Sequence, residues 1–262
     1  MALFKNFAIG VDTYGDAHKL IVKHNLWGYV FVPGIINLIL FGLVFLLGYY
    51  TGNIAVHWAF DLLGISGEPT GFFKFMVASL HFIIKILVYF VLFILYISTY
   101  KYVVLMIMSP LLAVLSEKTD ELTTHVKYKF SFLQLLKDIR RGWTIVLRNM
   151  VIEFGFVIIF FFISFIPFVG LICPVILFII SMYYYGFSMI DYSNERYKLS
   201  ISSSVKFVRN NKGFAIANGL IFYLILMIPL LGLLVAPSYA VVAATIGVQK
   251  VKQKELNSLI KK

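Results

Sequence analysis

Two long apolar runs in the first half of the chain have the length of membrane spans. Residues 25–56 contain neither a charged side chain nor a histidine, and their centre is 29–50. A second run covers 82–108 and ends directly before Ser109-Pro110. About 20 apolar residues are enough for a helix to cross the hydrocarbon core of a bilayer. The pattern therefore predicts two full spans, 29–50 and 82–108.

Two later runs, 154–190 and 213–249, have 37 residues each and no charge, and a matching motif interrupts both. The motifs are Ile166-Pro167-Phe168-Val169-Gly170 with Pro174 beyond it, and Ile228-Pro229-Leu230-Leu231-Gly232 with Pro237 beyond it. A proline inside a run stops a helix, and a glycine three residues later permits a tight reversal. We therefore expect two helical hairpins, at 149–190 and 213–249. Arms of about 12 to 18 residues reach only about 18–27 Å, so each hairpin is expected to penetrate the membrane part of the way.

The hairpins belong to an internal repeat that includes the basic stretch before each of them. Pro167 and Pro229 are 62 residues apart. Arg148 precedes the first proline and Arg209 precedes the second, at spacings along the chain that differ by a single position. Such repeats are common in transporters, although a duplication without any transport role gives the same pattern.

Two segments outside these runs are amphipathic. In residues 1–24 one stripe is apolar, and its members are Phe4, Phe7, Val11, Tyr14, His18 and Ile21. This pattern predicts a helix at the membrane surface before the first span. Residues 131–148 begin with a capping box at Ser131 and Gln134. This pattern predicts a second helix, which is basic.

Composition supports a membrane protein, because 61% of the residues are hydrophobic, only 13% are charged and the mean hydropathy is +0.91. These values exclude a soluble enzyme and a disordered chain, and the single cysteine, Cys173, excludes a disulfide scaffold. The predicted fold class is an all-α integral membrane protein. It has two long transmembrane helices, two proline-broken hemi-penetrating hairpins and amphipathic interfacial helices. We expect one membrane domain over 1–262 with a basic tail at 250–262.

The net charge of +11 predicts the topology. Of the 23 Lys and Arg residues, 21 lie in four segments that fall on one side when the spans and hairpins are drawn in order. The positive-inside rule places that side, and both termini, in the cytoplasm. The first residues contain no hydrophobic stretch or cleavage site typical of a signal peptide. We therefore expect a multi-pass protein of the inner (plasma) membrane.

Signatures of catalysis do not occur in the sequence, since it contains no P-loop, HExxH or GxSxG motif. We expect no enzyme activity, no cofactor and no metal. The basic residues are explained by the excess of positive charge that membrane proteins carry on their cytoplasmic side. We therefore expect no nucleic-acid partner.

Candidate anion-binding residues lie in the basic segments, and they are His18, Lys19, Arg140, Arg141 and Arg209. A basic face next to a membrane attracts soluble anions and anionic lipid headgroups alike, so both ligands stay open. Asn37 and Asn218 lie in apolar runs, where an unpaired amide is costly. We expect each to hydrogen-bond to a neighbouring helix, with a position that lines a water-filled path as the alternative. Glu117 and Asp191 are expected to form salt bridges or to neutralise helix ends.

The sequence resembles the CysZ-type sulfate permeases, which are grouped with the eukaryotic etoposide-induced membrane proteins. The resemblance covers nearly the whole chain, and it rests on VPGIINLILFG with Pro33 and Asn37, Ser109-Pro110-Leu111-Leu112-Ala113-Val114-Leu115-Ser116-Glu117, Asp191-Tyr192, and the run from Gly219 through Ile228-Pro229-Leu230-Leu231 and Pro237 to Ala244-Thr245. Eight positions are expected to be structural: Pro33, Asn37, Pro110, Glu117, Pro167, Asp191, Pro229 and Pro237.

The resemblance implies two long membrane helices and two pairs of hemi-penetrating helices, assembled as a homo-oligomer. It implies channel-like sulfate uptake that feeds cysteine synthesis without a metal or nucleotide. The sulfate site that it implies is a glycine–hydrophobic–basic motif in the N-terminal helix. That motif aligns with Ala17-His18-Lys19, where only the basic position matches, and Trp27-Gly28 replaces a basic pair.

Two hypotheses from different classes follow. The first is a transporter or channel for a small oxyanion, with sulfate as the leading candidate and with His18 and Lys19 supplying charge and donors. The second is a structural or lipid-organising membrane protein whose basic face binds anionic headgroups.

Overall fold

The computed structural model describes residues 2–62, 74–127, 131–166 and 168–260. Every regular element in these ranges is an α-helix, which confirms the all-α prediction for the described part of the chain. The helices are α1 (Ala2–Lys23), α2 (Trp27–Leu62), α3 (Lys74–Thr124), α4 (Phe132–Ile163), α5 (Cys173–Arg196), α6 (Ile201–Asn210), α7 (Lys212–Leu226) and α8 (Leu231–Ile260). Pro167, the predicted break of the first hairpin, lies outside the described residues.

Five helical segments among the described residues are long and apolar enough to cross a membrane. They are Trp27–Leu62, Thr99–Thr124, Phe132–Ile163, Cys173–Arg196 and Leu231–Lys254. The chain is therefore a multi-pass membrane protein. The depth to which each hairpin enters the membrane stays a prediction, as does the single-domain organisation.

The chain packs as two compact units, residues 1–38 with 105–262, and residues 39–104. In the second unit the hydroxyl of Tyr89 on α3 donates to Oδ1 of Asn53 on α2 at 2.9 Å. The rings of Phe60 and His81 stack with their centroids 4.6 Å apart. Polar and aromatic contacts therefore join α2 to α3 within this unit.

α3 continues through Pro110, although a proline inside a helix leaves the carbonyl four residues earlier without its N–H partner. That carbonyl belongs to Met106, and it accepts hydrogen bonds from Trp143 Nε1 at 2.8 Å and from Ser109 Oγ at 3.0 Å. The Ser109-Pro110 pair therefore does not end the helix, because two side chains replace the missing backbone donor.

Pro237 inside α8 leaves the carbonyl of Leu233 without a backbone partner in the same way. Asn37 on α2 donates to this oxygen from Nδ2 at 2.6 Å. A Cβ at Gly34 would collide with the backbone of Leu234, so the glycine permits the close approach that brings Asn37 within reach. The expected hydrogen bond from Asn37 to a neighbouring helix is confirmed, whereas the structural role expected for Pro33 stays a prediction.

Helices α5 and α7 also cross closely, at two reciprocal glycines. A Cβ at Gly186 on α5 would meet the carbonyl oxygen of Ala215, and a Cβ at Gly219 on α7 would meet that of Met182. Nearby, Asn218 Nδ2 donates to Ala240 O at 3.0 Å, which joins α7 to α8 as expected for that amide.

The turns that follow α4 and α7 share one backbone geometry. Phe168 and Leu230 have φ of 63° and 59°, in the left-handed region that side chains other than glycine rarely adopt. Gly170 N donates to Ile166 O at 3.0 Å, and Gly232 N donates to Ile228 O at 2.8 Å. At Gly170 and Gly232 the end of the preceding helix is too close to leave room for a Cβ, so both positions need glycine. The positive φ does not fall on these glycines but two residues earlier, at Phe168 and Leu230.

α1 packs against α7 and α8, and its buried face is rotated from the predicted stripe. The buried positions are Asn6, Gly10, Thr13, Tyr14, Ala17 and Ile21, whereas Phe4 and His18 lie outside this face. A Cβ at Gly10 would come within 2.5 Å of the Cβ of Ala217. Because α1 and α7 are this close, the buried face of α1 has small residues at the contact, and the large apolar side chain of Phe4 lies outside it.

Candidate anion-binding site

A cavity of about 540 Å³ lies where the first turns of α4, the end of α5 and the beginning of α6 meet. We call it the basic cavity, and its lining residues are Gln134, Lys137, Arg140, Arg141, Thr144, Glu195, Lys198, Leu199, Ser200 and Ile201. Four of these side chains are basic and one is acidic, so positive charge dominates the wall.

Three cations of the basic cavity have no neutralising partner among the described residues. Lys137, Arg140 and Lys198 form no ion pair in that part of the chain. Lys137 and Arg140 are three residues apart on α4, so they project from adjacent turns of one side of the helix. Lys198 follows α5, just after its C-cap residue Tyr197. These side chains can therefore turn their charge toward a bound anion.

The fourth cation, Arg141, is held in place by a carboxylate. Its Nη2 and Nε lie 2.9 Å and 3.1 Å from the two oxygens of Asp191 on α5. Its Nη1 donates to the carbonyl of Leu199. Ser204 on α6 also donates to Asp191, and Asn194 donates to Ser204 Oγ at 2.9 Å. This bidentate pair fixes α4, α5 and α6 around the basic cavity.

A second arginine, Arg196, whose side chain is only 7% exposed, ties the end of α5 to the rest of the unit. Arg196 Nη1 lies 2.9 Å from Glu117 on α3 and 3.6 Å from Asp138 on α4. Its Nη2 donates to Ala113 O at 2.7 Å, while Gln134 Nε2 donates to Asp138 at 2.6 Å. The salt bridges expected for Glu117 and Asp191 are thereby confirmed, and both carboxylates have positioning roles.

The N-terminus of α6 contributes to the positive potential of the basic cavity. Ser200 is the N-cap residue of this ten-residue helix, and its hydroxyl accepts from Ser203 N at 3.2 Å. The other first-turn N–H groups have no intrahelical acceptor, and they carry the positive end of the helix dipole. Because Ser200 and Ile201 line the wall, this helix end adds anion-binding character to the three cations.

Comparison with known proteins bears on what such a wall binds. A family model described as Sulfate transporter CysZ/Etoposide-induced protein 2.4 matches residues 14–237. The chain belongs to this family. It is 26% identical over 239 residues to the protein named Sulfate transporter CysZ from Pseudomonas paraeruginosa, covering 90% of this chain and 93% of that protein. It is 27% identical over 236 residues to the Pseudomonas syringae pv. tomato protein of the same name, covering 87% of each.

The family model and these relatives are named for the sulfate transporter CysZ, so the resemblance expected from the motifs is confirmed and the chain is not an enzyme. The matched region contains every residue of the basic cavity, together with α2, α3 and the turn after α7.

This CysZ-family chain brings only two of the five predicted anion-binding residues into one site. Arg140 and Arg141 line the basic cavity. His18 lies on α1, where its Nδ1 is 2.8 Å from the hydroxyl of Tyr239 on α8, and Lys19 is exposed beside it. Arg209 lies at the far end of α6, nine residues from Ser200.

Sequence reasoning missed Lys198 and Ser200 as members of a site. The signal for them is local, since Ser200 followed by Ser203 is an N-cap pattern, and Lys198 stands two residues before that cap. A basic residue close to a helix N-cap places a cation and free N–H groups together. Only the fold, however, brings this pair opposite Lys137 and Arg140.

Proposed function

We propose that this chain mediates uptake of sulfate across the inner membrane, with both termini in the cytoplasm. The observation that supports the proposal most directly is the basic cavity. It combines three cations that form no ion pair within the described ranges with the N-terminus of α6, in a member of a sulfate-transporter family. Repeats and broken helices of the kind seen in α4–α5 and α7–α8 are common in transporters.

The chemistry of the basic cavity suits a dianion. Sulfate has two negative charges and four acceptor oxygens and carries no proton near neutral pH, so it needs donors and cations. A partly desolvated dianion requires at least two cationic groups, and hydrogen bonds to a charged acceptor are about twice as strong as neutral ones. Lys137, Arg140 and Lys198 supply three cations. At about 540 Å³ the cavity has room for sulfate with part of its hydration shell.

Sulfate flux into proteoliposomes tests the proposal. We expect protein-containing vesicles to take up radiolabelled sulfate, and Arg140→Gln combined with Lys198→Gln to lower the initial rate about tenfold or more, since each charged donor contributes about 1.5–3 kcal/mol. Lys206→Gln is the matched control, because Lys206 is exposed on α6 and does not line the basic cavity. Wild-type uptake equal to that of empty vesicles would contradict the proposal.

The N-terminal residues give a second location for the anion within the same function. Lys19→Ala in the same assay separates the two locations. A loss of uptake with Lys19→Ala but not with the basic-cavity variants would place the sulfate site at His18 and Lys19. Loss with the basic-cavity variants alone would place it between α4 and α6.

Topology is tested by cysteine labelling of the two turns. Phe168 and Leu230 are 85% and 64% exposed, whereas the native Cys173 is only 3% exposed and gives little background. We expect Phe168→Cys and Leu230→Cys to react with a membrane-impermeant thiol reagent from the periplasmic side. Labelling from the cytoplasm alone would contradict the proposed orientation.

A specific observation also favours contact with anionic lipid. Phe132, Leu133 and Leu136 at the start of α4 are 64%, 72% and 47% exposed, next to Lys137 and Arg140. We propose that this end of α4 binds the headgroup layer in addition to transport. Binding to anionic but not to neutral vesicles, without sulfate flux, would instead support a purely lipid-organising role.

We also propose that the chain assembles as a homo-oligomer, as its family resemblance implies. The mass of the detergent-solubilised protein, measured by light scattering, tests this proposal.

A further inference from the structure

One acidic side chain, that of Glu195, lies in the wall of the basic cavity beside the cations. Lys137 and Arg140 line the same cavity from α4, and Lys198 lines it from the segment after α5. An ionised carboxylate repels an anion, and a repulsive group in a site discriminates among ligands as strongly as an attractive one. The presence of Glu195 among these cations therefore bears on which oxyanions the basic cavity accepts.

Glu195 does not hold helices together, unlike the acidic residues around it. It forms no ion pair with any residue that the structure describes. The residue is half-buried at the last turn of α5, where Lys198 N donates to its backbone carbonyl at 2.7 Å. The next residue, Arg196, contacts Glu117 on α3 instead. The side-chain oxygens of Glu195 therefore stay available to a ligand in the basic cavity.

Two further carboxylates face Glu195, and both have donors of their own. Asp138 faces it from α4, and Asp191 faces it from one turn earlier on α5. Asp138 accepts a hydrogen bond from Gln134 Nε2 at 2.6 Å, and Asp191 is bound bidentately by Arg141. Glu195 differs from both, because the wall of the basic cavity gives it neither a bidentate cation nor an amide donor. A hydrogen-bond donor on the bound anion would fill this place.

Sulfate and phosphate differ in the one feature that a carboxylate can distinguish. Both are tetrahedral, and both are mainly dianions at about pH 8, but monohydrogen phosphate keeps one hydroxyl group and sulfate has none. An ionised carboxylate only accepts hydrogen bonds, and the O–H···O⁻ bond is among the strong ones. A site that accepts a hydrogen bond from a ligand hydroxyl discriminates against the analogue that lacks the hydroxyl.

We infer that Glu195 sets the oxyanion specificity of the basic cavity, because a bound oxyanion shares a proton with its carboxylate. The inference rests on the proposed function for the place of the anion. Monohydrogen phosphate brings that proton with it, so phosphate is a ligand of the cavity in addition to sulfate. Sulfate binds best when Glu195 takes a proton from solvent and donates it to a sulfate oxygen. Lys137, Arg140 and Lys198 supply the positive charge that both anions need.

Equilibrium dialysis of the detergent-solubilised full-length protein against radiolabelled sulfate, at about pH 8, tests the inference with unlabelled phosphate as the competitor. We expect phosphate to displace sulfate from wild type. Glu195→Gln keeps the shape of the side chain, removes its charge and provides a donor that sulfate can use. In this variant sulfate should bind more tightly. The ratio of the phosphate dissociation constant to the sulfate dissociation constant should rise about tenfold, which is the effect of one charged hydrogen bond.

Two further variants separate the specificity of Glu195 from its charge and from the fold. Glu195→Asp keeps a carboxylate, so its ratio should lie nearer to that of wild type than to that of Glu195→Gln. Glu121→Gln also removes one negative charge, but Glu121 pairs with Lys118 on α3 and does not line the basic cavity, so its ratio should be unchanged. A ratio that is equal in wild type and Glu195→Gln would overturn the inference. Failure of phosphate to displace sulfate from wild type would also overturn it.

The binding and flux assays fail independently. Competition between phosphate and sulfate that depends on Glu195, in a protein that gives no sulfate flux, would refute the proposed transport and leave the role of Glu195 standing. Sulfate flux that depends on Arg140 and Lys198, combined with an unchanged ratio in Glu195→Gln, would refute the role of Glu195 and leave transport standing.

Discussion

Asn37 on α2 and Pro237 on α8 are coupled through one carbonyl, and this coupling can be measured. The oxygen of Leu233 has no backbone donor, because Pro237 lacks an N–H, and Asn37 Nδ2 donates to it at 2.6 Å. Asn37→Leu keeps the number and the branching of the side-chain heavy atoms and removes the donor. Asn37 is only 2% exposed, so water does not readily replace the lost partner.

A buried acceptor left without its partner costs about 1–3 kcal/mol. With about 2–4 °C of melting temperature per kcal/mol for a chain of this size, Asn37→Leu should lower the melting temperature by about 2–12 °C. In a Pro237→Ala background, the backbone N–H restored at position 237 can donate to Leu233 O. The same Asn37→Leu change should then cost little, about 2 °C or less.

Thermal unfolding of the four proteins in detergent, followed by thiol-reactive or intrinsic fluorescence, gives the coupling. Asn218→Leu is the matched control. Its Nδ2 also donates to a carbonyl of α8, that of Ala240 at 3.0 Å, but that carbonyl has a backbone partner because residue 244 is not a proline. Pro237→Ala should not rescue the control. If Asn37→Leu lowers the melting temperature equally in both backgrounds, the proposed replacement of the backbone donor is refuted.

Two further predictions concern packing and charge. Gly186→Ala should lower the melting temperature by several degrees, because the added Cβ meets the carbonyl oxygen of Ala215, whereas Gly155→Ala, with no neighbour within 4 Å, should be neutral or stabilising in the same thermal assay. Arg141→Gln should cost about 3–5 kcal/mol, because it leaves the buried carboxylate of Asp191 uncompensated, and Arg141→Met combined with Asp191→Leu should recover most of the loss. Equal melting temperatures for the single and double variants would contradict the second prediction.

The sequence predicts an all-helical membrane protein with several apolar helices, because apolar runs, charge-free segments and caps are local signals. The N-cap at Ser131 is present, with Gln134 N donating to its hydroxyl at 3.4 Å. The apolar pattern places Pro110 at the end of a span. In the structure α3 continues through Pro110, because Trp143, which is far away in the sequence, donates to the carbonyl that the proline leaves without a partner. The same is true of Pro237, whose partner Asn37 comes from another helix. Such contacts have no local pattern, so only the fold shows them.

The anion site is harder to predict for a different reason, which concerns how charges are paired. Arg140 and Arg141 are neighbours in the sequence with equal charge, yet the structure gives them opposite roles. Arg141 is bound bidentately by Asp191, which is distant in the sequence, and therefore holds α4, α5 and α6 together. Arg140 has no ion-pair partner among the described residues and faces the basic cavity. A basic residue is available to a ligand only when the fold leaves it unpaired. Arg140→Gln should therefore change anion binding and leave stability nearly intact, whereas Arg141→Gln should change stability first.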